Sequence, residues 1–140
     1  MKTKTAKIIN LIVIALIMAF IWSRSVKDMA ASARESGAFM ETVVIPVEKA
    51  VFGREMVSED FIRKCAHVFE FALLGIALAI YTKKLWITLG VGMTTAVIDE
   101  TIQYFVGRGS MVTDIWIDTF GCLLGAAAVL LILKTCKNKK

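Results

Sequence analysis

The sequence predicts an all-α membrane protein with four transmembrane helices and an extramembrane, partly helical segment between the first and the second. The 140 residues are 57% hydrophobic with a mean hydropathy of +0.69 and a single proline, which is too apolar for an ordinary soluble domain. Four apolar runs are each long enough to cross a hydrocarbon core of about 30 Å. Most lysines lie at the ends of these runs, where they would meet lipid headgroups, and this distribution argues against nucleic-acid binding.

The first apolar run covers residues 8–22 and follows a basic N-terminus at residues 1–7. A secretory signal peptide begins in the same way, but the small-residue pattern at 31–33 lies too far beyond the run for normal cleavage. We therefore expect the run to remain in the protein as its first transmembrane helix.

Residues 23–60 carry charges of both signs, which predicts an external segment outside the membrane. Ser36 and Gly37 are expected to divide this segment, and Pro46 is suited to the start of a short helix. An apolar side of that helix would be formed by Val43, Val44, Val47, Val51 and Phe52. Such a helix would lie on the membrane surface, and a partly ordered, solvated loop is the alternative.

Three further runs at residues 61–81, 85–105 and 115–133 predict a core of three transmembrane helices over residues 61–133. A basic tail follows at residues 134–140. The N-terminus, this tail and the turn between the second and third helices are rich in lysine without acids. By the positive-inside rule, both termini should be cytoplasmic.

Polar residues from three of these predicted helices, and from the connection before the last one, converge on one layer just under the external surface. The set comprises Lys64, His67, Glu70, Asp99, Glu100, Gln103, Arg108, Asp114 and Asp118. Ionisable groups are costly in a bilayer, and those that are retained usually face a protein-lined or watery cavity. We therefore predict that these residues bind a ligand in an outward-facing polar pocket.

Small residues predict how the last helix packs. Asp114, Asp118, Gly121 and Gly125 lie on one helical stripe, and the Gly121 to Gly125 step is a GxxxG motif. The fourth helix should therefore approach a neighbour closely below its acids.

The connection before that helix contains Gly107, Arg108, Gly109 and Ser110. Its glycines permit positive φ, and Ser110 or Thr113 is suited to cap the following helix. Arg108 should then lie at the rim of the pocket, with a guanidinium suited to a carboxylate or phosphate.

These motifs resemble the VanZ-like family of Gram-positive membrane proteins, named for a protein associated with teicoplanin resistance. The resemblance spans residues 63–131 and is carried by Lys64, His67, Glu70, Phe71, Leu74, Gly75, Asp99, Glu100, Gln103, Gly107, Arg108, Asp114, Asp118, Thr119, Gly121 and Gly125. The chain departs from the pattern at Ile102, where members often carry His, and at Val106, where Pro is usual; Asn also occurs at Asp118. The resemblance implies a cell-envelope protein linked to glycopeptide or lipopeptide susceptibility, without an agreed reaction.

The charges of the polar layer do not balance. Its five acids exceed its three bases, with His67 taken as neutral; the bases are Arg63, Lys64 and Arg108. Protonated carboxyls, water, a bound cation or a cationic ligand group would relieve the excess. Alternatively, the charges could lock the bundle through pairs of Lys64 or Arg108 with Glu100 or Asp118.

A metal cofactor is not predicted, because no HExxH or DxDxDG spacing is present. A divalent cation remains an alternative, since the layer offers one imidazole and many carboxylate oxygens, a set suited to magnesium, calcium or manganese more than to zinc.

Two functional hypotheses are preferred at this point, and a small scaffold within a larger envelope complex is a third option. In the first, the pocket binds a cell-envelope lipid or a lipid-linked cell-wall precursor and thereby alters susceptibility to glycopeptides or lipopeptides. In the second, the protein is a membrane enzyme that hydrolyses or transfers a group on such a lipid, with His67 and Glu100 as an acid/base pair.

Overall fold

The computed structural model describes residues 2–27, 29–52, 54, 57–109 and 111–138. All regular elements in these ranges are helical. They are α1 (Lys2–Ser25), α2 (Met29–Phe39), a π-helical turn (Met40–Val44), α3 (Ile45–Phe52), α4 (Glu59–Thr82), α5 (Leu85–Phe105) and α6 (Val112–Asn138).

Four of these helices, α1, α4, α5 and α6, are long and apolar enough to cross a membrane, which confirms the predicted fold class. The third predicted span coincides with α5, while α1 and α6 extend beyond their apolar runs at both ends. Lysines occur in the extensions at the start of α1 and at the end of α6, where their aliphatic stems can cover apolar surface while the ammonium groups reach water.

Glycines bring α4 and α6 into close contact along parallel axes. A Cβ on Gly121 would lie 2.5 Å from the carbonyl oxygen of Val68, and one on Gly125 would lie 2.0 Å from that of Ala72. Gly75 of α4 has the same relation to the backbone of α6. The close approach predicted from the GxxxG motif is therefore confirmed, and its partner is α4.

α1 completes the bundle against α4 and α5. Asn10 Nδ2 donates a hydrogen bond to the Ala77 carbonyl at 3.1 Å, and Trp22 Nε1 donates to the Thr95 carbonyl at 3.5 Å. Further along α1, Arg24 contacts Glu70 of α4 and Ser25 contacts Asp99 of α5. α1 is therefore antiparallel to α4 and parallel to α5. Ile14 and Ile21 of α1 belong to the buried apolar core.

The segment between α1 and α4 is helical over residues 29–52. Ser36 and Gly37 lie inside α2, so the expected division at these residues is wrong. Pro46 is the second residue of α3, but it does not begin a separate helix, because the helical backbone continues into α3 from the π-helical turn. Along one side of this helical segment, four apolar side chains are exposed: Phe39, Val43, Val47 and Val51.

The turns between the core helices use local signals. Ser58 caps α4 by accepting a hydrogen bond from the Phe61 amide, and Lys83 ends it with a φ of 54°. Between α5 and α6, Gly107 has a φ of 76°, which few other residues adopt. Thr113 lies within α6 and is not its cap, and Ser110 lies outside the described residues.

Candidate functional site

The polar residues gather at one end of the bundle. The end of α1, the first part of α4, the last part of α5 and the start of α6 meet there, together with α2 and the turn around Arg108. Asp99 and Asp118 are almost fully buried, with 0% and 1% of their surfaces exposed. Buried carboxylates require compensation, so their partners indicate what the site can bind.

His67 lies between these two carboxylates. Its Nδ1 is 3.5 Å from Asp118 Oδ1 and 4.0 Å from Asp99 Oδ2. The imidazole comes from α4, Asp99 from α5 and Asp118 from α6, so three helices meet at this point. Neither oxygen of Asp118 accepts a hydrogen bond from any residue that the structure describes.

Asp99 is held in place by two donors. Gln103 Nε2, one turn further along α5, donates to Oδ2 at 2.7 Å, as the i,i+4 spacing predicted. The Ser25 hydroxyl at the end of α1 donates to Oδ1. The Asp99 carboxylate therefore has a defined orientation toward His67.

A small cavity of about 50 Å³ opens beside this cluster. Six of the nine predicted site residues line it: His67, Glu100, Gln103, Arg108, Asp114 and Asp118. Glu100 Oε2 accepts a hydrogen bond from the Met111 amide at 3.0 Å, which ties the α5–α6 connection to the site. The cavity is large enough for water or for a small polar group.

Arg108 is buried and contacts α1 and α2. Its two terminal nitrogens donate to the Arg24 carbonyl at 3.3 Å and to the Ser32 hydroxyl at 3.2 Å. Burial lowers the pKa of the guanidinium from its ordinary value, although arginine stays charged in proteins. No carboxylate in the described part of the chain forms an ion pair with it.

The remaining predicted residues form pairs at the edge of the site. Glu70 Oε1 lies 3.0 Å from Arg24 Nε, and Lys64 Nζ lies 3.9 Å from Asp114 Oδ1. The pairs expected for a locked bundle, Lys64 or Arg108 with Glu100 or Asp118, are not those that the described residues form. Lys64 lines neither this cavity nor the larger one next to it.

That larger cavity, of about 470 Å³, lies between α2 and α4. It shares Arg63, His67 and Arg108 with the smaller one. Charged groups line one part, and apolar side chains line another, among them Phe39, Ile62 and Phe69. The polar site thus continues into a space with both polar and apolar walls.

A family profile described as VanZ/LLP1 matches residues 9–133. The chain belongs to the VanZ/LLP1 family. No curated protein and no solved structure gives a significant match.

The VanZ/LLP1 match begins within α1, whereas the resemblance read from the motifs began at residue 63. This extent agrees with the structure, in which α1 and the residues after it contribute to the site. Sequence reasoning did not include Arg24, Ser25 and Ser32 among the site residues. Their position just beyond the first apolar run, level with the acids of α5, was the available signal.

Proposed function

We propose that this VanZ/LLP1 protein binds a cell-envelope lipid, or a lipid-linked cell-wall precursor, at the polar end of its transmembrane bundle. One observation carries the proposal: the cavity of about 470 Å³ joins the buried polar site to an apolar wall. Its size is within the ordinary range of ligand pockets. A molecule with a polar head and an acyl or prenyl chain has matching chemistry at both ends.

The charges around this cavity favour an anionic head group. Two carboxylates, Glu35 and Glu70, line it, against four cations. The cations are Arg24, Lys27, Arg63 and Arg108. Guanidinium groups match phosphate oxygens in bidentate contacts, so a phosphate or pyrophosphate ester is the preferred head group.

The apolar wall favours a ligand that stays partly in the membrane. Phe39 and Phe69 line the cavity and are also half or more exposed on the outside of the protein, at 50% and 64%. Lipid chains would cover such side chains in a bilayer. The bound molecule could therefore keep its tail in the lipid while its head group reaches Arg63 and Arg108.

The pocket is expected to open toward the outside of the cell, where it would contact the lipid carriers of wall synthesis. Binding there would alter the display of glycopeptide or lipopeptide targets. In a susceptible Gram-positive host, expression of the protein should therefore change the minimal inhibitory concentration of teicoplanin or of a lipopeptide. Susceptibility that does not change would remove this part of the proposal and leave lipid binding to be tested directly.

Lipid binding is tested by mass spectrometry of the lipids that remain with the purified protein. Arg63→Ala should reduce a phosphate-bearing lipid, because Arg63 lines both cavities. Its Nη2 pairs with Asp60 at 2.7 Å, which leaves the other guanidinium nitrogens for a phosphate. Arg34→Ala is the matched control, since Arg34 is an exposed arginine of α2 outside both cavities. Equal lipid content in both variants would contradict the proposal.

The second candidate, a membrane enzyme acting on such a lipid, is favoured by the position of His67 beside two buried carboxylates. A histidine oriented by an acid is a common general base. Glu100 lines the same small cavity as His67, so it could act as the general acid when His67 acts as the base. If the protein changes the mass of an added lipid-linked precursor, and His67→Gln and Glu100→Gln each abolish the change, the protein is an enzyme and binding alone is insufficient.

A further inference from the structure

Three side chains from three helices direct donor atoms to one point in the bundle. One imidazole nitrogen of His67 and one carboxylate oxygen each of Asp99 and Asp118 lie within 4.8 Å of one another. Donor atoms around one metal ion, with bonds of about 2.1 Å, stand about 3 to 4 Å apart. The separations of 3.5 and 4.0 Å between His67 Nδ1 and the two carboxylates fall in that range.

Asp118 provides an independent indication of a missing partner. It is 1% exposed, and both its carboxylate oxygens are buried without a hydrogen-bond donor among the described residues. A buried carboxylate without partners is costly, and binding to a cation is one of the two usual ways in which proteins compensate it. The side chain also lines the small cavity, so it faces an open space and not packed apolar atoms.

The other acids of the layer have donors or cations of their own. Glu70 pairs with Arg24, Asp114 is near Lys64, and Glu100 accepts the Met111 amide. In the described part of the chain, Asp99 and Asp118 have only His67 as a charged neighbour within 4.0 Å. A protonated imidazole would supply one positive charge against two carboxylates, whereas a divalent ion supplies two.

Neighbouring residues also fix the orientation of these metal-binding side chains. Ser25 and Gln103 each donate a hydrogen bond to one oxygen of Asp99, leaving each oxygen another lone pair. Such outer contacts orient ligating carboxylates in metal sites. Gly121, three residues after Asp118, is packed against the α4 backbone one residue beyond His67, which limits relative movement of these two ligands.

We propose that His67, Asp99 and Asp118 bind one divalent metal ion of the first transition row. The sequence predicted a preference for magnesium, calcium or manganese from the many oxygens of the whole layer, but only two carboxylate oxygens and one nitrogen meet at this point. That smaller set suits Mn²⁺ or Zn²⁺ better than Ca²⁺ or Mg²⁺, which prefer all-oxygen sites. The adjoining cavity of about 50 Å³ leaves room for water on the remaining coordination positions. This site does not depend on the proposed lipid function, because its ligands are side chains of this protein.

Direct titration tests the site. The full-length protein in detergent, with any polyhistidine tag removed, is stripped with a chelator and titrated with Mn²⁺ while the free ion is followed by electron paramagnetic resonance. We expect one Mn²⁺ per chain, with Zn²⁺ competing and Mg²⁺ binding more weakly. Less than about a tenth of an ion per chain at millimolar Mn²⁺ would overturn the proposal.

One variant and a matched control test Asp118 as a ligand. Asp118→Asn should weaken Mn²⁺ binding by about 100-fold or more, since loss of outer-shell contacts alone costs about 10- to 100-fold. Asp114→Asn is the matched control, because it removes a carboxylate from the same helix and cavity that is paired with Lys64; it should alter affinity by less than about threefold. Equal affinity of the two variants would contradict the assignment.

A failure to fold is excluded by a second measurement. Asp118→Asn removes one of two buried carboxylates that share the single imidazole of His67, so the metal-free variant should melt at the same temperature as the metal-free parent or higher. Mn²⁺ should raise the melting temperature of the parent and of Asp114→Asn but not of Asp118→Asn. A rise that is equal in all three would place the ion elsewhere. All of these metal-binding and unfolding measurements use delipidated protein. Their result therefore does not depend on whether the protein binds a lipid.

Discussion

Gly125 of α6 lies so close to Ala72 of α4 that a Cβ atom on the glycine would be 2.0 Å from the alanine carbonyl oxygen. The two backbones must therefore separate to accept any side chain at this position. Gly125→Ala should destabilise the bundle by about 1–3 kcal/mol, the usual cost of overpacking. Thermal unfolding of the protein in detergent micelles, followed by circular dichroism, measures the effect.

Gly90→Ala is the control for that experiment. Gly90 also lies within a transmembrane helix, but nothing lies within 4 Å of the position that its Cβ would occupy. Since alanine favours a helix over glycine by about 1 kcal/mol, this variant should be equally stable or more stable. If both substitutions lowered the unfolding temperature equally, close packing of α4 on α6 would not be the reason for the glycine at 125.

Ser25 links α1 to the buried Asp99. Ser25→Ala removes one of the two donors that orient this carboxylate, and leaving a buried charged acceptor short of a donor costs about 1–3 kcal/mol. Ser23→Ala is the matched control, because its exposed hydroxyl donates only to the Phe20 carbonyl of its own helix. Chemical unfolding in detergent should separate the two variants. Equal stabilities would mean that the Ser25 hydroxyl contributes nothing to the site.

The attachment of α2 should depend on pH through Glu35. The hydrogen bond from Lys27 lowers the pKa of this carboxyl from its ordinary 4.5, and Arg24 lies 3.5 Å from it. A lowered pKa in the folded protein means that the ionised carboxylate favours the docked helix. This contribution is fully present above pH 4.5 and is lost as the pH falls through the lowered pKa.

Thiol labelling at position 66 measures this attachment, because Ala66 is half-buried and lines the cavity beside α2, whereas the native Cys65 is already exposed. Glu35→Gln reproduces the protonated state at neutral pH and should accelerate reaction of Ala66→Cys with a bulky maleimide in a Cys65→Ser, Cys136→Ser background. Glu41→Gln, an exposed acid in the π-helical turn, should leave the rate unchanged. A rate in Glu35→Gln equal to that of the parent would show that the ion pair does not hold α2.

The number and position of the spanning helices followed from hydropathy, because crossing a bilayer requires runs of fixed length. The limits of α5 agree with the predicted run, since Lys83 and Lys84 precede it and the turn at Gly107 ends it. The hydrogen bond between Gln103 and Asp99, one turn apart in α5, was also predictable from the sequence, and so was the close approach of α6 to a neighbouring helix. Both depend only on the spacing of residues within a single helix.

The partners across helices did not follow from the sequence. Which acid meets Lys64 depends on the rotation of α4 against α6, and hydropathy does not define that rotation when apolar residues surround the helix. Among the described residues, Arg108 donates to the Arg24 carbonyl and the Ser32 hydroxyl and does not pair with an acid, because α2 folds back over it. The break expected at Ser36 and Gly37 was wrong, since a serine and a glycine weaken a helix without preventing it.

The side of the membrane on which the polar site opens is a prediction from the lysine distribution. Position 109 is suited to testing this orientation, because Gly109 is exposed in the α5–α6 connection. Nothing lies within 4 Å of the position that its Cβ would occupy, and its φ is not positive. Gly109→Cys should therefore be tolerated. In a Cys65→Ser background, an impermeant maleimide added to intact cells should label position 109.

Cys136 provides the internal control for this topology experiment, since it is exposed near the C-terminal end of α6, and Cys122 is buried. It should be labelled only after the cells are permeabilised. Because the polar site includes Glu100, whose carboxylate binds the Met111 amide of the same connection, the side reported by position 109 is also the side of the site. Labelling of Cys136 in intact cells, with position 109 protected, would place the polar cavity on the cytoplasmic side. An extracellular lipid head group could then not reach Arg63 or Arg108.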